Sequence, residues 1–153
     1  MQAFMIEKLR VSGAGKIEGI VEFTDGLNII QGRSNTGKTW ILKCIYYLFS
    51  SDTRPYSPLT GYTDIEGVFM TKRYGRIKIS RKLDEETVMV IADNEEILDG
   101  EYATNYKKEG QKYLNDLWLR IIGLDETIKV PSNARYARER ISWTNIASVF
   151  FAD

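Results

Sequence analysis

Residues Gly32-Arg33-Ser34-Asn35-Thr36-Gly37-Lys38-Thr39 match the full pattern G-x-x-x-x-G-K-[ST], the loop that cradles the phosphates of a nucleoside triphosphate. The chemistry needs each residue type. Gly32 and Gly37 allow backbone angles and a close phosphate approach that a side chain would block. Asn35 tolerates the left-handed conformation better than most non-glycine residues, so it can stand mid-loop where glycine is common. Lys38 is expected to reach the β- and γ-phosphates as a point charge, and the Thr39 hydroxyl to ligate Mg²⁺. Arg33 and Ser34 are expected to offer backbone groups, with Arg33 pointing outward, and Thr36 completes the binding set. ATP and Mg²⁺ are the implied ligands.

The elements that must position this loop are legible on both sides. Leu27-Asn28-Ile29-Ile30 is short, apolar and β-branched, which predicts a buried parallel strand. From Thr39 to Phe49, Ile41, Cys44, Ile45 and Leu48 recur at helical spacing, with Trp40, Leu42 and Phe49 widening that face. A strand, a loop and a helix in this order aim backbone N–H groups and the positive helix end at one point.

The rest of the chain reads as one compact α/β domain over residues 1–153. With 43% hydrophobic and 27% charged residues, a single core and a soluble surface are expected. Lysine plus arginine total 21, as do aspartate plus glutamate, so global charge implies neither nucleic acid nor an anionic membrane. No run is long enough to span a bilayer and no cleavable leader is evident, so the cytoplasm is the expected location. The sequence contains no histidine, which excludes histidine metal sites, Ser-His-Asp triads and histidine bases within it. Cys44 is the only cysteine and lies on the predicted apolar helix face, where a buried structural thiol is expected.

Ala3 to Val11 and Ile17 to Phe23 read as strands separated by Ser12-Gly13-Ala14-Gly15, and Ser50 to Gly61 as an irregular loop. From Asp64 to Leu98, alternation broken at Tyr74-Gly75, Asp84-Glu85-Glu86 and Asp93-Asn94 predicts an antiparallel meander. Tyr102 to Ile122 carries a helical stripe ending at Gly123, and Tyr136 to Ala152 a last apolar-sided segment, so helices are expected at the C-terminal end. The cations Lys72, Arg73, Arg76, Lys78, Arg81 and Lys82 cluster on the meander, with Arg76, Lys78 and Lys82 on one face. That face suits a phosphate backbone, but a solvated outer sheet surface neutralised by Asp84, Glu85 and Glu86 is the better account. Arg135, Arg138 and Arg140 form a second, equally ambiguous group.

This order of elements, with the Gly26-to-Gly32 approach and the Gly37-Lys38-Thr39 helix opening, resembles the N-terminal lobe of SMC-like ATPases of the chromosome-maintenance, RecN, RecF and SbcC types. Gly75 to Leu83 is similar to the family segment Gly-x-x-Ile-x-Ile-x-Arg-x-Leu, placing Arg81 at its arginine. The resemblance implies an ABC-type P-loop head with a mixed sheet. The second lobe would supply the Leu-Ser-Gly-Gly signature and the Asp-Glu strand, and two heads would pair face to face. It also implies DNA as a candidate partner and work in DNA repair, chromosome maintenance or defence. Departures are visible: Ser12-Gly13-Ala14-Gly15-Lys16 replaces an Asn-Phe-Arg-like turn, and none of Gln2, Gln31 and Gln111 stands where a metal-binding glutamine belongs. Val149 to Asp153 is similar to the run leading into that glutamine.

Two other readings stay open. One is a small self-contained NTPase or kinase using Asp93 or Asp153 on the metal, since Val88 to Asp93 and Val149 to Asp153 each mimic an apolar strand ending in aspartate. The other is a non-catalytic nucleotide-sensing module.

Overall fold

A computed structural model of the chain describes residues 4–105, 110–124, 127–131 and 138–143. Alternation of apolar and polar residues builds its dominant element. Strands β1 (Phe4–Ser12), β2 (Gly19–Glu22), β3 (Asp64–Thr71), β4 (Gly75–Lys82), β5 (Thr87–Ala92) and β6 (Gly100–Ala103) form one sheet in the order β2-β1-β3-β4-β5-β6. Every neighbouring pair in it is antiparallel. The register sends Ile65 and Phe69 of β3, Ile77 and Ile79 of β4, and Val88 and Val90 of β5 to one buried face. The predicted meander is present, with its last strand at Gly100–Ala103 rather than at Ile97-Leu98.

Helix α1 (Lys38–Leu48) lies on the buried face of the sheet and sets Cys44, Ile45, Tyr47 and Leu48 into the core. It passes close to β3 at Gly67, where an added Cβ would meet Leu48 Cδ1 at 2.6 Å. Helix α2 (Leu114–Ile121) buries Leu114, Leu117, Trp118, Leu119 and Ile121. The two helices and the sheet meet in an aromatic cluster. Phe49 stands 4.2 Å from Trp118 and 5.0 Å from Trp143, and Phe69 4.9 Å from Trp118, between ring centroids. Full burial of such side chains contributes roughly 1.5–3 kcal/mol each. A short hairpin, β7 (Lys129–Pro131) with β8 (Arg138–Arg140), is joined to α2 through Asn115, whose Oδ1 accepts from the Trp143 N–H at 2.5 Å.

Several expectations are corrected. Leu27-Asn28-Ile29-Ile30 forms no strand, and Leu27 and Ile29 are 85% and 70% exposed. A strand needs a neighbour to pair its backbone groups, and this run pairs with none of the described strands, β1 being flanked by β2 and β3. In place of the expected mixed sheet, all the paired strands of the six-stranded sheet are antiparallel, and the parallel contact among the described residues is a single bridge from Ala103 to Tyr113. On α1, Trp40 and Leu42 point out of the core, leaving it to Cys44, Ile45, Tyr47 and Leu48. The helix predicted over Tyr102 to Ile122 begins only at Leu114, because Thr87 and Val88 recruit Ala103 and Tyr102 into the sheet first. It ends as expected: Gly123 has φ +79°, and the Leu124 N–H donates to Leu119 O at 2.8 Å. Of the last predicted segment, residues 136–137 and 144–152 lie outside the described residues, and Arg138–Arg140 is strand rather than helix.

The end of α1 is the most constrained point of the fold. Ser50 follows the helix cap with φ +87°, and the Ser51 N–H closes the turn on Tyr46 O at 3.1 Å. Glycine usually fills that left-handed position. The Arg81 side chain, 5% exposed at residue level, comes up from β4 and donates from Nη1 to Tyr47 O at 2.7 Å and Ser51 O at 2.9 Å. Its guanidinium carbon lies 3.7 Å from the Tyr47 ring centroid, and burial lowers its pKa from the usual arginine value. The Tyr47 hydroxyl in turn donates to Leu83 O at 2.6 Å.

Two stability predictions follow from this turn. Ser50→Gly relieves the left-handed strain and removes a buried hydroxyl that has no partner among the described residues. It should raise unfolding free energy by about 1 kcal/mol in denaturant titration. Arg81→Met leaves the Tyr47 and Ser51 carbonyls without their donor. It should lower unfolding free energy by about 3 kcal/mol in the same titration.

Candidate phosphate-binding site

The phosphate loop leaves β2 through a clasp rather than a strand. Asn28 Nδ2 donates to Thr24 O at 2.7 Å and to Gly26 O at 3.1 Å, and its Oδ1 accepts from the Thr24 N–H at 2.9 Å. The chain then turns through the loop with Asn35 at φ +62° and Gly37 at φ +84°, the two left-handed residues that hand it to α1. Asn35 therefore adopts the conformation its residue type suggested. Gly32 has little room for a side chain, since an added Cβ would meet Thr36 Oγ1 at 2.9 Å.

The charges are arranged for an anion. Gly37 caps α1 without a side-chain hydrogen bond, and no acidic residue stands in the first turn, so nothing in that turn offsets the positive helix end. Lys38 folds over the loop: its ammonium donates to Gly32 O at 2.7 Å and to Arg33 O at 2.5 Å, with Thr36 Oγ1 at 3.4 Å. Thr36 Oγ1 donates to Arg33 O at 2.7 Å, a brace the motif alone does not reveal. Arg33, Ser34, Asn35 and Thr39 are exposed. The eight motif residues are thus brought together at one end of α1, with the ammonium at their centre.

The loop opens on a cleft of about 900 Å³, within the range of small-ligand sites. One wall is Ser34 to Ile41, the facing wall is Leu9, Val11, Ile20 and Val21 of β1 and β2, and Tyr56 and Tyr62 complete it. Cys44 also reaches this lining, and burial pushes its thiol up to about 12, so it is a packed and unreactive group. Sequence reasoning missed the two tyrosines because they sit in and beside the Ser50 to Gly61 loop, whose fold is set by distant contacts. Tyr62 Oη donates to Ile17 O at 2.8 Å. In the turn after β1, an added Cβ at Gly13 would stand 2.0 Å from Gly61 O, so this turn packs directly against the same loop.

Among the described residues no carboxylate lines the cleft, and no cluster of three or more His, Cys, Asp or Glu forms a metal cage. Asp93 is not brought to the loop: it follows β5, where its N–H donates to Arg76 O at 3.0 Å. Asp153 lies outside the described residues. Within the loop Thr39 presents an exposed hydroxyl, a donor type that suits a hard cation whose other ligands are phosphate oxygens and water.

The basic residues of the meander sit elsewhere. Arg76, Lys78 and Lys82 share the outer face as predicted, and each meets a carboxylate: Glu7 at 2.8 Å, Glu66 at 3.3 Å and Glu85 at 3.3 Å. Arg73 pairs with Glu96 at 3.4 Å, and Asp84 pairs with Arg54. Arg81 leaves the group altogether for the end of α1. In the second group Arg140 faces Asp116 at 3.7 Å, and Arg135 lies outside the described residues. Among the described residues no helix is long and apolar enough to cross a membrane.

Comparison with curated proteins gives no match. A family model described as an AAA domain matches residues 8–148, a span that contains the loop, both helices and most of the sheet. With the phosphate loop set at the start of α1 and most of the chain matched, the protein belongs to this AAA family of nucleotide-binding P-loop domains, which is found in SMC-, RecF- and SbcC-like ATPases.

Proposed function

We propose that the chain binds ATP with Mg²⁺ as the N-terminal half of an SMC-like ATPase head serving DNA repair, chromosome maintenance or defence. The observation that carries the binding is the acid-free start of α1, with Lys38 held at the centre of its loop beside an open cleft. Phosphate oxygens would replace the Gly32 and Arg33 carbonyls as partners of the ammonium, and the loop N–H groups would take the remaining negative charge. Thr39 would hold the metal against the terminal phosphates.

Hydrolysis needs a positioned water and stabilisation of charge on the transferring phosphoryl group. The loop contributes to the second requirement. For the first, no carboxylate among the described residues lines the cleft. The water-activating group and the cap on the γ-phosphate therefore come, in this reading, from a C-terminal lobe and an opposing head. The exposed Leu27 to Ile30 run supports the same reading, because it is a strand-like apolar segment with no sheet neighbour among the described residues. DNA would be met by the assembled head rather than by the Arg76–Lys78–Lys82 face, whose cations are already paired.

Calorimetry tests the binding site. Lys38→Ala should abolish measurable MgATP binding, whereas Thr39→Val should weaken binding by roughly tenfold or more with Mg²⁺ and little in EDTA, because only the metal ligand is lost. Equal affinity in the Lys38→Ala and parent proteins would defeat the assignment. A phosphate-release assay tests the shared chemistry: turnover by this chain alone should be negligible and should appear on adding a lobe that carries the signature and Asp-Glu strand. Steady turnover by the monomeric chain, lost in Asp93→Ala, would instead support a self-contained NTPase.

A further inference from the structure

Trp40 is left over once the phosphate chemistry has been assigned. It follows Thr39 directly in the first turn of α1 and is 44% exposed, although the helix has a large buried face for an indole to join. It lines the cleft with Lys38 and Thr39. Its ring is backed by Tyr56, 5.4 Å away between centroids and tilted by 41°. Tyr56 is itself only 7% exposed and is steadied by Tyr62, at 6.3 Å in an edge-on arrangement. The indole is therefore held on a buried aromatic support while nearly half its surface stays open.

The remaining walls of the cleft add little side-chain polarity. Val11, Ile20 and Val21 are apolar, the Tyr62 hydroxyl is engaged with Ile17 O, and the Tyr56 hydroxyl is enclosed. A ligand with its charged end at Lys38 would thus continue into an aromatic and aliphatic space. A planar heteroaromatic ring suits that space; a sugar phosphate or a bare polyphosphate would leave it unused.

We infer that Trp40 is the stacking shelf for the base of the bound nucleotide, so that the cleft selects nucleoside triphosphates over other polyphosphates. The inference rests on the phosphate-site reading above and adds a specificity residue to it. Stacking of a base on an aromatic side chain is enough to change affinity by roughly tenfold or more.

The test compares MgATP with magnesium tripolyphosphate, which keeps the phosphates and lacks the base, by calorimetry on the parent, Trp40→Ala and Trp40→Phe proteins. Trp40→Ala should weaken MgATP by roughly tenfold while leaving tripolyphosphate within about twofold, and Trp40→Phe should restore most of the loss. Retained tripolyphosphate affinity also reports an intact loop. Unchanged MgATP affinity in Trp40→Ala would overturn the shelf, and so would equal losses for both ligands, which would make Trp40 a support for the loop. A parent protein that binds tripolyphosphate as tightly as ATP overturns the shelf alone. A parent that binds neither overturns the phosphate site and the shelf with it.

Discussion

The guanidinium of Arg81 fixes the far end of the helix that carries the phosphate loop. A helix ends in carbonyls without intrahelical partners, and a cation placed there satisfies them and complements the negative end of the dipole. Arg81 does both for α1 from β4, stacked on Tyr47, whose hydroxyl is tied to Leu83 just past the same strand. The two residues close a loop of contacts between α1 and the meander. Since an α-helix is stiff, fixing its C-terminal end and its buried face also fixes the direction of its N-terminal end. The position of Lys38 over the cleft therefore depends on a strand more than 30 residues away in sequence, as the 34-residue separation of Arg81 and Tyr47 shows.

The two ends of α1 are chemically opposite. At the C-terminal end the protein supplies its own counter-charge, and burial makes that contact strong while lowering the pKa of Arg81. At the N-terminal end the protein supplies another positive group, Lys38, and no acid in the first turn. Like charge gathered at one point is unfavourable without an anion, so this end of the helix is left short of a counter-charge. The loop carbonyls of Gly32 and Arg33 hold the ammonium meanwhile. On the outer sheet face the opposite policy holds: Arg76, Lys78 and Lys82 each have a carboxylate, which weakens any field there.

Apolar surface divides the molecule in the same way. The aromatic cluster of Phe49, Phe69, Trp118 and Trp143 seals the meeting point of sheet and helices. On the loop side, Leu27, Ile29, Trp40 and Leu42 stay exposed. Trp40 faces a cleft with aliphatic walls, whereas Leu27 and Ile29 lie on a segment with no sheet partner among the described residues. These four lie on or beside the helix that carries the phosphate loop, whereas other exposed apolar side chains, such as Met89 and Ile91 on β5 and Leu98 after it, lie away from it.

The sequence by itself determined what local chemistry dictates. The eight-residue loop, the left-handed tolerance of Asn35, the start of α1, the hairpin turns of the meander and the stop at Gly123 all depend on residues a few positions apart, and each is where the pattern put it. Tertiary structure decided what depends on distant partners. Leu27 to Ile30 has the composition of a buried strand, but composition states what a segment can bury and not whether a neighbour is there to bury it. Tyr102 and Ala103 have helical spacing with the residues after them, yet cross-strand pairing with Val88 and Thr87 takes them into the sheet. Arg81 shares with Ile77 and Ile79 the parity of an inward residue, which was legible; that its charge would be met by the carbonyls of α1 was not, because those lie on another element. The cleft walls formed by β1, β2, Tyr56 and Tyr62 come together only when the Ser50 to Gly61 loop folds back against the turn at Gly13, a contact between segments nearly 50 residues apart, like the 45-residue span from Ile17 to Tyr62.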